Sequence, residues 1–285
     1  MVRGLVFATV VSLVTALPAV TAADEAEPVF PSPLAGLGRS LADSFAGPNV
    51  AFQMLAIAET ATLSTQDIDV QVRDYFHRHP RWGQAVYPVI ILGVAGPVAL
   101  FGGLHSVGHM RDSVETVGAA YAVLQAGALT LGYVTILKFS LGRPAPRDDY
   151  VPSLAPDMAK LSRTFRPGFD RGGVVAGWPS GHVAVTTAMA GALVGYYPDS
   201  LALKFAGAVA VAAMMLGVSS FDAGGMHWCS DALAGALMAF PIGLSTGRSM
   251  RQVVQGEKAH APSSAWFVLP SPVPGTVGAT LGRSL

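Results

Sequence analysis

Gly177-Trp178-Pro179-Ser180-Gly181-His182 and His227-Trp228-Cys229-Ser230-Asp231 bracket the part of the chain on which its reading turns. Each is a polar knot at the start of an apolar run, and two apolar runs lie between them. Pro179 and Ser180 predict a helix start with Ser180 as N-cap. That leaves the amides near Gly181 and His182 unpaired at the positive end of a helix dipole, where an anion binds readily. Gly181 lets the anion approach the backbone closely. His227 and Asp231 are four residues apart, so on a helix they share a face and the carboxylate orients the imidazole. Two histidines, one oriented by an acid, beside a phosphate-sized nest point to phosphoryl transfer through a histidine nucleophile.

Working outward, the 285 residues are 51% hydrophobic and only 13% charged. Formal net charge is zero, which argues against nucleic acid or a strongly acidic partner. Mean hydropathy of +0.46 and abundant Ala and Gly suit packed membrane helices. The single cysteine, Cys229, excludes an internal disulfide framework. Residues 1–23 have a charged start (Arg3), an apolar run from Leu5 to Ala19 and small residues at Val20 and Ala22. This is the layout of a signal peptide cleaved after Ala22 or Ala23, with an uncleaved anchor as the competing reading. Residues 24–82 then form an exported N-terminal segment. Within it, Val50 to Leu63 is too short and polar for a confident span. Thr65 to His79 suits a helix lying on the membrane surface or an ordinary amphipathic packing helix.

Five apolar runs follow: Val86–Leu104, Val117–Leu137, Val183–Tyr197, Leu201–Val218 and Ala232–Leu244. A spanning helix wants about 20 apolar residues, and the first, second and fourth qualify. The third and fifth reach that length only if their polar starts sit at the interface. Gly191 and Gly195 form a small-xxx-small pair for close helix contact, and Pro97 and Pro241 interrupt their helices in a way neighbouring helices accommodate. If residue 24 is exported, the inside loops hold Arg111, Lys204, Arg248, Arg251 and Lys258, a modest positive-inside pattern. Every polar knot then falls on the external face. The expectation is an all-α membrane helix bundle of about five to six helices with its site at the external end. The core is residues 83–247, followed by an irregular tail, 248–285.

With these residues in hand, the chain resembles the type 2 phosphatidic acid phosphatase superfamily of lipid phosphatases, bacterial acid phosphatases and vanadium haloperoxidases. That family carries Lys-x6-Arg-Pro, Pro-Ser-Gly-His and Ser-Arg-x5-His-x3-Asp motifs. The second is intact at Pro179-Ser180-Gly181-His182, the third matches at Ser220, His227 and Asp231, and the first at Lys138 and Pro146. Two positions depart: the motif arginines fall on Ala145 and Phe221. Loss of one fixed oxyanion donor costs about 3 kcal/mol, so a repositioned arginine is expected. Arg143 is the preferred candidate, with Arg147, Arg163, Arg166 and Arg171 in the same external loop.

By this resemblance His227 attacks phosphorus, Asp231 holds its other ring nitrogen, and His182 protonates the leaving group and later activates water. Lys138, Ser180, Gly181 and Arg143 neutralise the phosphate oxygens. The implied function is hydrolysis of a lipid phosphate or diphosphate without cofactor or metal, in a cytoplasmic membrane with the site facing the periplasm or exterior. The alternatives are an exported soluble acid phosphatase and a catalytically inactive membrane member that binds lipid or a partner. A haloperoxidase is disfavoured because such sites lean on several arginines. His105 and His109, four apart, are read as loop polarity rather than zinc ligands, and Asp148-Asp149 as a hydrated loop. Trp178 and Trp228, which flank the two histidine motifs, either wall the pocket or anchor at headgroup level, the second being preferred, and Cys229 is read as packing.

Overall fold

Serine caps set the starts of three long helices, because a serine oxygen satisfies an otherwise orphaned first-turn amide. Ser113 accepts from Thr116 N–H at 3.2 Å, Ser180 from Val183 N–H at 3.5 Å and Ser200 from Leu203 N–H at 3.3 Å. The computed structural model describes residues 28–146, 157–167, 177–221, 225–256, 266–270 and 279–283. The leader-like segment, Arg147, Asp148-Asp149, Arg171 and Lys258 lie outside these residues. Ten helices occur among them: α1 Leu37–Ser44, α2 Asn49–Thr65, α3 Ile68–Arg78, α4 Arg81–Ala85, α5 Tyr87–Met110, α6 Val114–Ser140, α7 Met158–Ser162, α8 Gly181–Tyr196, α9 Leu201–Ser220 and α10 Cys229–Val254. Two short strands, β1 Trp266–Pro270 and β2 Ala279–Arg283, pair antiparallel in the tail. The architecture is an all-α bundle.

Four segments are long and apolar enough to cross a membrane: Arg81–Met110, Val114–Ser140, Leu201–Ser220 and Cys229–Val254. The last exceeds its sequence expectation. It continues through the boundary placed at Gly247 because its polar residues face inward, Ser249 donating to the Gly36 carbonyl and Ser245 accepting from Asn49. The 16-residue α8 is the shortest of the core helices and sits among α5, α6, α9 and α10.

Glycine makes the α8–α10 contact close enough for backbone to meet backbone. A Cβ on Gly243 would lie 2.1 Å from the Ala188 carbonyl oxygen, and one on Gly247 2.1 Å from that of Ala192. From the α8 side, a Cβ on Gly195 would lie 2.5 Å from the Leu244 carbonyl oxygen and one on Gly191 3.2 Å from that of Phe240. The glycine pair expected to mediate close contact does so.

Helix α2 runs beside α10 in the opposite direction. Asn49 meets Ser245, Gln53 donates to the Met238 carbonyl, and Thr60 accepts from Trp178 near the start of α8. Its buried face is polar (Gln53, Thr60, Ser64) and its exposed face carries Met54 and Leu55. That inversion suits lipid outside and protein hydrogen bonds inside, and explains why the segment reads poorly as a span. The chain before it lies at the end of the bundle remote from His227. The Phe30 ring packs on His109 at 4.4 Å, and Gln125 donates to the Pro33 and Ala35 carbonyls. The sequence expectation set residues 24–82 and the polar knots on one side; the structure sets residue 28 and the knots at opposite ends of α2. Helix α3 packs on α2, α9 and α10, which favours its packing-helix reading.

Candidate active site

The two knots meet at one end of the bundle. Ser180 N–H donates to the Asp231 carbonyl at 2.9 Å, so the start of α8 is tied to the first turn of α10. His227 lies two residues before α10 rather than on it. Asp231 reaches back over the helix start, as an acid at this position of a capping box does. Its Oδ2 accepts from Trp228 N–H at 3.0 Å and stands 3.6 Å from His227 Nδ1. His227 is buried, and that nitrogen has no closer partner among the described residues. Burial pushes the His227 imidazole down to about 4; Asp231 opposes the shift and the Lys138 charge adds to it. The ring is therefore neutral near pH 7, as a nucleophile requires.

Lys138, in the last turn of α6, donates to the Gly177 carbonyl at 2.9 Å and is buried. Gly177 in turn donates to the Arg143 carbonyl at 2.7 Å, and a Cβ there would lie 2.9 Å from Asp231 Oδ2. Only glycine lets the loop pass this close to the carboxylate. Gly181 opens α8 behind the Ser180 cap, and His182 follows it, half-buried against Gly93 of α5. Lys138, Ser180, Gly181, His182, His227 and Asp231 are thus brought to one place.

Arg143 is brought there too, but its guanidinium is engaged. Nη1 donates to Asp231 Oδ1 at 2.6 Å and Ser230 Oγ at 2.7 Å, Nη2 to Asp69 Oδ2 at 2.5 Å, and Nε to the Ser162 carbonyl at 2.6 Å. Its face stacks between Phe165 and Trp228. All of it is buried. Where the sequence reading put this arginine on phosphate oxygens, the structure puts it between two carboxylates that must otherwise be buried unpaired. Ala145 is buried beside it, and Phe221 packs on Tyr87. Arg163 is held by Asp67 and the carbonyls of Ser64 and Thr65, while Arg166 is exposed.

Other expectations change. Trp178 and Trp228 are both buried, donating to Thr60 Oγ1 at 2.9 Å and the Pro144 carbonyl at 2.7 Å, so they pin loops and do not anchor at headgroup level. His105 and His109 lie on α5 rather than in a loop, their rings in tilted contact with centroids 4.5 Å apart. The residue that sequence reasoning missed is Asp69. Its one signal is its place seven residues before Phe76, the other buried side chain of α3.

A family model described as the PAP2 superfamily matches residues 116–254, and the chain belongs to that superfamily. The match begins in α6 and excludes α1 to α5, with Asp69. Comparison with curated proteins and with solved structures finds no match. Family membership supports phosphatase activity, the hydrolysis of a phosphate ester.

Proposed function

We propose that the chain hydrolyses a lipid phosphate or diphosphate through a phosphohistidine on His227. The observation that carries this is the neutral, buried imidazole set against Asp231 beside the amide-bearing start of α8. Nδ1 faces the carboxylate, so Nε2 bears the lone pair that attacks phosphorus. Asp231 favours the imidazolium that develops. Lys138 and the first-turn amides at Gly181 and His182 receive the phosphoryl oxygens. His182 gives a proton to the departing alkoxide, then takes one from the water that cleaves the phosphohistidine. Nothing in this sequence of steps uses a cofactor. The arginines at the family positions are missing and Arg143 is engaged, so less charge stabilisation is available, and a slow enzyme is expected.

A lipid substrate is supported by an apolar cleft of about 190 Å³ between α5, α8 and α9. Met214, which lines it, and His182 both abut Gly93, so an apolar chain in the cleft carries its head to the site. The test is phosphate release from a panel of phosphatidate, isoprenyl diphosphate, phosphatidylglycerophosphate and lipid A phosphate in detergent with a chelator present. Release by the native chain that disappears in His227→Ala supports the reading. No release by folded native protein favours the catalytically inactive alternative.

A further inference from the structure

Asp69 stands outside the family match, on a helix with no motif, yet it is fully buried and every hydrogen bond it makes lies at the site. Oδ2 accepts from Arg143 Nη2 and, at 2.7 Å, from Ser230 Oγ. Oδ1 accepts from Ser230 N–H at 3.0 Å and Cys229 Sγ at 3.1 Å. It therefore holds the first turn of α10, the turn that carries Asp231. Ser230 Oγ completes a ring, donating to Asp69 and accepting from Arg143 Nη1.

The charges make the consequence specific. Arg143 lies between Asp69 and Asp231, with Oδ1 of Asp231 on its Nη1 and Oδ2 turned to His227. A guanidinium facing Asp231 alone would neutralise that carboxylate and compete with the imidazole for it. With Asp69 on the other side, the three groups keep one net negative charge, and it is directed at His227 Nδ1. The other charged or titratable groups around the cluster are Lys138 on α6, His182 on α8, Cys229 on α10 and Glu59 on α2. None of them supplies a second carboxylate hydrogen-bonded to Arg143.

We propose that Asp69 is a positioning residue for His227: by sharing Arg143 it leaves Asp231 free to hold the proton on Nδ1 and present Nε2 to phosphorus. The proposal rests on the phosphatase reading for its kinetic consequence but not for its spectroscopic one. Asp69→Asn removes the charge and keeps the shape. It lowers kcat about 10- to 100-fold, the range in which residues behind a reacting group act, and leaves KM within about threefold, since substrate is not touched. The double variant Asp69→Asn/Arg143→Met restores the native charge balance around Asp231 and recovers part of the lost kcat; a merely structural role gives a further loss instead.

The experiment uses the full chain in detergent with phosphatidate micelles. It is paired with nitrogen-15 histidine NMR, in which His227→Ala assigns the His227 signal. Native protein shows the Nδ1–H tautomer at neutral pH, and Asp69→Asn shifts His227 toward the other tautomer. An unmoved His227 signal in folded Asp69→Asn overturns the proposal, as does a kcat loss that only tracks the folded fraction. If folded native protein releases no phosphate, the phosphatase reading falls and the tautomer measurement alone decides on Asp69. If Asp69→Asn does not fold, Ser230→Ala removes one arm of the ring: a smaller kcat loss with the same tautomer shift supports the proposal, and native values overturn it.

Discussion

A single methyl group placed on different glycines of the α8–α10 seam measures how closely these helices are packed. In Gly191→Ala the new carbon lies 3.2 Å from the Phe240 carbonyl oxygen, a gap closed by a shift of a few tenths of an ångström. In Gly195→Ala it lies 2.5 Å from the Leu244 carbonyl oxygen, and in Gly243→Ala 2.1 Å from that of Ala188, with the Ala188 carbonyl carbon at 2.8 Å. The obstructing atoms are backbone, so no rotamer change relieves them and the helices must part by about 1 Å in the last case. Overpacking costs roughly 1–3 kcal/mol and occasionally more. Gly191→Ala is expected at or below the low end and Gly243→Ala at or above the high end. At about 2–4 °C per kcal/mol for a chain of this size, Gly243→Ala melts about 6–12 °C lower. Because α8 carries Ser180 to His182 and α10 carries Asp231, the same order should appear in kcat. The assay is thermal unfolding of each variant in one detergent, with phosphate release alongside. Equal melting temperatures across the three variants, or Gly191→Ala as the worst, would refute the packing argument.

Other consequences follow from the same geometry. Arg143→Met leaves Asp69 and Asp231 buried without their shared partner, at a cost of about 3–5 kcal/mol; a variant with native stability but a raised KM would return Arg143 to the phosphate. His227 titrates near 4 when folded and 6.5 as its ordinary value, so the folded state takes up fewer protons between these values. Its stability contribution is complete above 6.5 and is lost as pH falls toward 4, by about 3 kcal/mol. Native protein should lose melting temperature over that window and His227→Gln should lose less, a contrast read by thermal scans at several pH values. In the same free enzyme kcat/KM rises as pH falls below 7, because His182 must carry the proton it donates, and then drops on the acid limb where His227 is protonated. Single cysteines at the exposed Ser32 and Arg166, in a Cys229→Ser background, should react with an impermeant thiol reagent from opposite faces of a sealed vesicle; labelling from one face would mean that α2 does not cross.

The elements that were legible in the sequence are those whose apolar face points outward or whose caps are local. The run behind Ser180 became a helix with that serine as its cap, and the two knots came together at one end of the bundle. Helix α2 was illegible as part of the bundle because Gln53, Thr60 and Ser64 lower its hydropathy, although they are satisfied inside. The end of α10 was cut short for the same reason, its serines and threonine reading as tail. The partnership of Arg143 with Asp69 joins residues 74 apart, and no local pattern announces such a pair. An arginine near a phosphate motif therefore reads as an anion ligand until the buried carboxylates are seen. The tryptophans misled similarly, since an indole beside a polar knot fits a headgroup belt as well as an interior hydrogen bond.

The claim at the centre is that His227 carries the phosphoryl group. It is tested most directly by quenching the full chain during turnover of a phosphorus-32-labelled lipid phosphate and locating the label by peptide mass spectrometry. The account predicts an acid-labile, base-stable phosphohistidine at His227, absent from His227→Ala. Turnover without such an adduct, or with the label on another side chain, would contradict it.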